Sequence, residues 1–222
     1  YYYTNNSYSV LVSGSDASTS PKHNLNLFFT DVNDNSPVFT SSAAFSAAEN
    51  QTAIGTVVAS DADGDSLSYS ISGSDISIDS SSGVIAFASA PDYETKTSYT
   101  ATVTATDGTN SVDQAITVNV TNINEAGPQF SSSSVTFSIA ENQTAIGTIE
   151  ATDPDGDTVI YSISGSDISI DSSSGVISFA SAPDYETKSS YSETVTASDG
   201  TNSNTQTVTV SVTNVNESPV YS

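Results

Sequence analysis

The run Ser70–Ile85, SISGSDISIDSSSGVI, returns without a single change as Ser162–Ile177, a displacement of 92 residues (162 − 70). The copy is not confined to that run. Ala48–Thr56 (AENQTAIGT) returns from Ala140, and Pro91–Lys96 (PDYETK) returns from Pro183, both at the same displacement. Such a chain is restricted to two like domains, because each copy must close its own core. A third, partial copy precedes them. Tyr8–Asp16 (YSVLVSGSD) aligns with Tyr99–Asp107 (YTATVTATD), and Leu25, Leu27 and Phe29 then fall on Ile116, Val118 and Val120. The expected organisation is therefore a C-terminal fragment of a preceding module with its linker over residues 1–35. One module follows over 36–126, and a second, with the start of another linker, over 127–222.

Within a copy the apolar residues alternate with polar ones: Leu67, Tyr69, Ile71; Ile76, Ile78; Ile85, Phe87; Tyr99, Val103; Ile116, Val118, Val120. A period of two marks strands with one buried face. Polar turns containing glycine separate them, at Gly73–Asp75, Ser80–Gly83 and Asp107–Asn110. No run has helical spacing. The expected fold is all-β: tandem seven-stranded sandwiches with Greek-key connections. Glu193 is the exception in the second copy, since it stands on an inward-facing position that Ala101 holds in the first.

Charge narrows the function. The chain has 26 Asp and Glu against Lys22, Lys96 and Lys188, with no arginine, for a net charge of −23. Nothing here could displace counterions from phosphate, so nucleic acid is excluded as a partner. Without cysteine, neither disulfides nor thiolate metal sites can brace the modules, which leaves oxygen-ligated calcium as the staple. No apolar run is long enough to form a membrane helix. The single histidine, His23, lies in the partial copy, so neither full module can hold a Ser-His-Asp triad. Carboxylate pairs that recur in every copy suit a structural metal better than one glycosidase centre. The chain is expected not to be an enzyme. Its abundance of Ser, Thr, Asn and Gly is of the kind found in bacterial surface proteins.

The carboxylates recur in order. Asp31-Val32-Asn33-Asp34-Asn35-Ser36-Pro37-Val38-Phe39 resembles the calcium-binding linker of the cadherin family. Ala48-Glu49-Asn50, Asp61-Ala62-Asp63, Asp92-Tyr93-Glu94 and Ala105-Thr106-Asp107-Gly108 resemble that family's other calcium motifs, in the same order. The second copy repeats them as Glu141, Asp153-Pro154-Asp155, Asp184-Tyr185-Glu186 and Asp199-Gly200. The resemblance implies that Asp-x-Asp and Asp-Gly loops sit at one pole of each module, with the early Glu and the Asp-x-Glu at the other. Stacked modules would then gather Glu49, Asp92, Glu94, Glu125, Asp153, Asp155 and Asp199 around calcium, by the family's habit three ions. Elementary electrostatics agrees, because carboxylates inside a sandwich would cost several kcal/mol each, and clustered ones repel unless a cation joins them.

The sets differ in completeness. Asn122-Ile123-Asn124-Glu125-Ala126-Gly127-Pro128 carries Glu125 where the family has Asp, and one extra residue before proline. Ahead of the first module, Asn33, Asp61, Asp63 and Asp107 with Asp34 are expected to hold one ion, while Tyr1 and Tyr3 stand where Asp92 and Glu94 align. After the second module, Glu141, Asp184, Glu186, Asn216 and Glu217 form a half-site.

Blander roles remain for other residues. Asp61–Asp65 could open an EF-hand loop, but Ser66 and Ser72 replace the required Gly and Glu. Asp75, Asp79, Asp167 and Asp171 fit turns and no ligand motif. Tyr69, Tyr93 and Tyr99 and their copies suit packing, though tyrosines also stack on sugars. Sequons stand at Asn50 and Asn142. The resulting expectation is a calcium-rigidified extracellular rod for adhesion or structure. Its partners would be adjacent modules of the same or a neighbouring chain. Val10, Val12, Leu25, Leu27 and Phe29 read as one apolar face of two last strands, which upstream chain or a neighbour must complete. In the second case a surface filament grows by strand addition, with Ser218–Tyr221 as a contributor. The alternative is a carbohydrate-binding accessory module recognising a glycan.

Overall fold

The computed structural model describes residues 7–13, 22–28 and 32–217, and every regular element among them is a strand. Two of the strands, β1 (Ser7–Ser13) and β2 (Lys22–Phe28), pair antiparallel as a two-stranded sheet, from Ser7 opposite Phe28 to Ser13 opposite Lys22. Phe29, Asp31 and Ser218–Tyr221 lie outside the described residues, as do Tyr1 and Tyr3. By its contacts the chain divides into two units. The first runs to Pro91 and again over Lys96–Val120; the second takes Asp92–Thr95 and Thr121 onward.

The first unit contains β3 (Val38–Phe39), β4 (Ala44–Ala48), β5 (Ala53–Thr56), β6 (Ala59–Ser60), β7 (Ser68–Ile71), β8 (Ile76–Ile78), β9 (Val84–Phe87), β10 (Ser98–Thr106) and β11 (Ser111–Thr121). The second repeats the series as β12 (Gln129–Phe130), β13 (Ser134–Ala140), β14 (Ala145–Thr148), β15 (Ala151–Thr152), β16 (Ile160–Ile163), β17 (Ile168–Ile170), β18 (Val176–Phe179), β19 (Ser190–Ser198) and β20 (Ser203–Thr213). One sheet has the order β4-β11-β10-β7, and its copy β13-β20-β19-β16. The other has β5-β9-β8, copied as β14-β18-β17. The short pairs β3-β6 and β12-β15 complete them. Counting β12 with β13, and β14 with β15, as halves of interrupted strands leaves the seven-stranded sandwich that the alternation predicts. The first strand changes sheets at its interruption. Its opening half pairs antiparallel with β15, and its second half runs parallel to β20.

The alternation explains the core. Along β20, Val208, Val210 and Val212 are buried while Thr207 and Thr213 are exposed. Ile168, Ile177 and Phe179 meet them from the facing sheet, and Val195 and Ala197 on the neighbouring β19 join the same cluster. The first unit buries Ile76, Ile85, Phe87, Val103, Ala105, Ile116, Val118 and Val120 in the same way. Each large aliphatic or aromatic side chain so buried contributes roughly 1.5–3 kcal/mol. The tyrosines also act through their hydroxyls. Those of Tyr69 and Tyr161 accept the Ala59 and Ala151 amides at 3.0 and 2.9 Å, pinning the strand just beyond its interruption.

Two glycines are dictated by the turn of the identical run. Gly83 and Gly175 have φ of +71° and +69°, and a Cβ on either would lie 2.2 Å from the carbonyl oxygen of Val57 or Ile149. Only glycine permits both the left-handed backbone and that approach. Glu193 also finds its reason here. Its Oε1 accepts the amides of Asp167 and Ile168 at 3.2 and 3.3 Å, tying β19 to the turn before β17.

Candidate metal centres

Three segments of the second unit meet at one end of its sandwich. Asp153–Asp157 joins β15 to β16, Asp199–Asn202 forms the tight turn between β19 and β20, and Asn122–Ala126 leads toward β12. Asp155, only 9% exposed, uses Oδ2 to accept the backbone amides of Glu125 and Ala126, both at 2.8 Å. Asn122 donates to the Asp155 carbonyl at 2.8 Å. Asp199 Oδ1 accepts the amides of Thr201 and Asn202 at 2.6 Å each. Asn202 then donates its side-chain amide to Asn124 Oδ1 at 2.8 Å, which links the turn to the incoming segment. Burial opposes the charge on Asp199, but the Asn202 and Thr201 amides outweigh it and hold the carboxyl below its ordinary range.

The first unit repeats this arrangement. Asp63 Oδ2 accepts the Asp34 and Asn35 amides at 3.0 and 2.8 Å. Asn35 adds a side-chain bond to Asp63 Oδ1 at 2.6 Å, which Ala126 cannot make in the second unit. The Asn35 amide leads the bonds that lower the Asp63 pKa. Asp107 Oδ1 takes the Thr109 and Asn110 amides, and Asn110 donates to Asn33 Oδ1 at 2.9 Å. Asp31 lies outside the described residues.

A second acidic group occupies the other end of β20, about 35 Å away at ~3.3 Å per residue. Glu141 follows β13 and is 2% exposed. Its Oε1 accepts the Val215 amide at 2.7 Å and its Oε2 the Tyr185 amide at 2.9 Å. Asp184 and Glu186 offer carboxylate oxygens within 4.8 Å of it and of each other. Asn142, with φ of 65°, donates to Glu217 at 2.8 Å, and Asn216 lines the adjoining cleft. In the first unit Glu49 follows β4 and is 1% exposed. In the Asp92–Thr95 segment, which groups with the second unit, Asp92 accepts from the Thr95 amide and hydroxyl at 3.1 and 2.9 Å, one residue beyond Glu94.

Comparison with known proteins accounts for this pattern. A family model described as Cadherin domain matches residues 43–121 and again 135–213. The chain belongs to the cadherin family. Mouse "Cadherin EGF LAG seven-pass G-type receptor 1" is 34% identical over 188 residues, covering 76% of this chain and 6% of that protein. Human "Protocadherin Fat 4" is 34% identical over 218 residues, covering 87% of this chain and 4% of its own length. The chain thus spans a small part of the relatives it matches. Among solved structures, mouse Cadherin-23 EC22-24 superposes with a TM-score of 0.69 at 25% identity, covering 88% of this chain and 70% of that one. The protocadherin GammaB4 extracellular domain, at 22% identity and a TM-score of 0.77, agrees in fold. The two units are cadherin modules of the extracellular kind.

Within these cadherin modules, the donor set fits a hard cation. Calcium–oxygen distances of 2.3–2.6 Å limit the separation of two ligands on one ion to about 5 Å. Asp61, Asp63 and Asp65 offer oxygens within 4.8 Å of one another, as do Asp153, Asp155 and Asp157. The Oδ2 atoms of Asp61 and Asp153 are buried and accept no hydrogen bond. An orphaned carboxylate oxygen of that kind costs about 1–3 kcal/mol or more when it is charged, and a cation would remove the cost.

Sequence reasoning missed three pairs of participants. Asn110 and Asn202 bridge the Asp-Gly turn to the incoming linker, and the recurrence of Asp-Gly-Thr-Asn at 107–110 and 199–202 was the available signal. Asp65 and Asp157 join the Asp-x-Asp pair, although only an EF-hand reading had touched the first of them. The lysines were missed as well. Lys96 pairs with Asp75 and lies 4.0 Å from the Tyr99 ring centroid, and Lys188 repeats this with Asp167 and Tyr191. Asp75 and Asp167 therefore do more than shape turns. Asp79 and Asp171 do shape them, each accepting two serine amides and two serine hydroxyls through Oδ1.

Proposed function

We propose that these modules are calcium-stiffened segments of an extracellular adhesive or structural array. The observation that carries this reading is the buried, unpartnered Oδ2 of Asp153 among carboxylates close enough to share one ion, repeated at Asp61. In the family's manner, Glu49, Asp92 and Glu94 of one module would share ions with Glu125, Asp153, Asp155 and Asp199 of the next. Asn33, Asp34, Asn35, Asp61, Asp63 and Asp107 would hold ions at the start of the first module, with Asp31. Glu141, Asp184, Glu186, Asn216 and Glu217 would await a following module. Each pair of like charges about 4 Å apart costs about 1 kcal/mol in bulk water and about 4 at an effective dielectric of 20. Calcium would replace that repulsion with ligation and fix the angle between modules. The role is mechanical and adhesive, not catalytic.

Small-angle scattering and thermal unfolding with calcium and with chelator test the proposal. Calcium at 100 to 1,000 times its dissociation constant adds about 2.7–4.1 kcal/mol per site bound only in the folded state. Asp155→Ala should lose affinity and Asp167→Ala should keep it, although both remove one charge. Superimposable curves with and without calcium would end the calcium reading. The same scattering gives the mass: growth with concentration would indicate a filament built by adding strands to β1 and β2, and a constant monomer mass would exclude it. A glycan-binding role finds no support in Tyr99, Tyr161 or Tyr191, although Tyr185 is exposed. Tyr161 holds a backbone amide, and the Tyr99 and Tyr191 rings are capped by lysines.

A further inference from the structure

We infer that Asp157, and Asp65 in the first module, is a cation ligand, so that each Asp-x-Asp-Gly-Asp loop supplies three carboxylates to one ion from a single five-residue segment. This rests on the calcium reading above and adds a ligand beyond the Asp-x-Asp pair by which the family is recognised.

The loop is built around its first carboxylate. Asp153 Oδ1 accepts the amides of Asp155 and Asp157 at 3.0 and 3.3 Å, so the chain curls about that oxygen. Gly156, with φ of +81°, makes the reversal, and its amide reaches back to the Asp153 carbonyl at 3.2 Å. Nothing lies within 4 Å of the place where a Cβ would stand on Gly156, so the glycine serves conformation and not packing. The reversal returns Asp157 to the same side as Asp153 and Asp155, with ligand oxygens of all three inside 4.8 Å. The second observation is independent of this clustering. Asp153 Oδ2 is buried and has no donor, although Oδ1 of the same group has two. A protein group could have satisfied it, and none does.

The first module repeats the main features. Asp61 Oδ1 accepts the Asp63 and Asp65 amides at 2.8 and 3.4 Å, Gly64 has φ of +83°, and Asp61 Oδ2 is orphaned. Asp157 is half-buried where Asp65 is exposed. Three carboxylates place three negative charges against two positive ones, the excess by which calcium loops raise affinity.

Asp157→Asn separates ligation from folding, because the bond that shapes the loop uses the Asp157 amide and not its side chain. Calcium titration of the full chain by calorimetry, with terbium luminescence as a second readout, should show one class of site weakened roughly tenfold or more. The melting temperature in chelator should not fall below that of the unaltered chain, because neutralising one of three clustered carboxylates relieves repulsion there. Asp113→Asn, a change of equal charge on β11 beside Thr104, should titrate normally. If Asp157→Asn binds like the unaltered chain while Asp155→Ala does not, the assignment of Asp157 fails and the calcium reading survives. If the unaltered chain itself binds no calcium, both fail together.

Discussion

The two modules share a backbone plan and an identical central run, yet on the equivalent nine-residue strands β10 and β19 they differ in charge at one position, Ala101 on β10 and Glu193 on β19. In the second module Glu193 reaches across to the amides of Asp167 and Ile168, and Gly165 lies so close that a Cβ there would come within 2.7 Å of Oε1. In the first module the corresponding space, between Ala101 and the turn Ser72–Ile76, is an open cleft, and Gly73 has no neighbour within 4 Å of its missing Cβ. The same turn sequence thus has a strand carboxylate on its amides in one copy and not in the other. Glu193 gains two hydrogen bonds, but its Oε2 is buried without a partner, which offsets part of the gain. Identity of sequence in a loop does not ensure identity of restraint, because the restraint comes from a strand outside the loop.

The comparison can be broken at the core. Ile85→Ala and Ile177→Ala remove fully buried side chains at equivalent positions, and each should cost about 2–5 kcal/mol in urea unfolding. Nearly equal losses are expected, since both residues face the same neighbours by type. A large inequality would show that the modules differ in packing and not just at the turn.

It can be sharpened at Glu193 itself. Glu193→Ala should destabilise the second module by about 1 kcal/mol and speed amide hydrogen exchange at Ile168 toward the rate at Ile76. Ala101→Glu should slow exchange at Ile76. Unchanged exchange in both variants would show that the bonds from Oε1 carry no restraint.

The smallest effect is expected where the modules are most alike. Asp79 and Asp171 are held far below the ordinary carboxylate range, first by the Ser82 and Ser174 amides and then by the serine hydroxyls. A lowered folded-state pKa means stabilisation that is complete above the unfolded value of about 3.9 and is lost as pH falls below it. Asp79→Asn and Asp171→Asn should lower the melting temperature slightly and equally at pH 7. Both differences should shrink as the medium is acidified below pH 4. A difference that persists undiminished into acid would assign the effect to the loss of shape and not of charge.

The strands were legible because Val208, Val210 and Val212, like Ile116, Val118 and Val120, write a period of two directly into the sequence. The carboxylate motifs were legible because they recur in order. Two kinds of feature were not. The two-residue β12 is too short to show a period, and the switch of sheet between β12 and β13 is decided by what lies alongside them. Bonds such as Asn202 to Asn124 join residues far apart in the chain, so nothing local announces them. Glu193 was visible as an anomaly, but the amides it serves belong to a turn whose sequence is the same in both copies.

The parallel pairing of β13 with β20 has a consequence for a chain under tension. Seven residue pairs, from Ser134 with Thr207 to Ala140 with Thr213, hold the first and last strands of the module side by side. Because the strands run the same way, the entering end of β13 and the leaving end of β20 lie at opposite ends of that ladder. A pull on the two ends therefore slides one strand along the other and loads the whole ladder in shear. An antiparallel pair pulled from adjacent ends would open one rung at a time. The module meets stretching with many bonds sharing the load, and it should yield abruptly once that ladder slips.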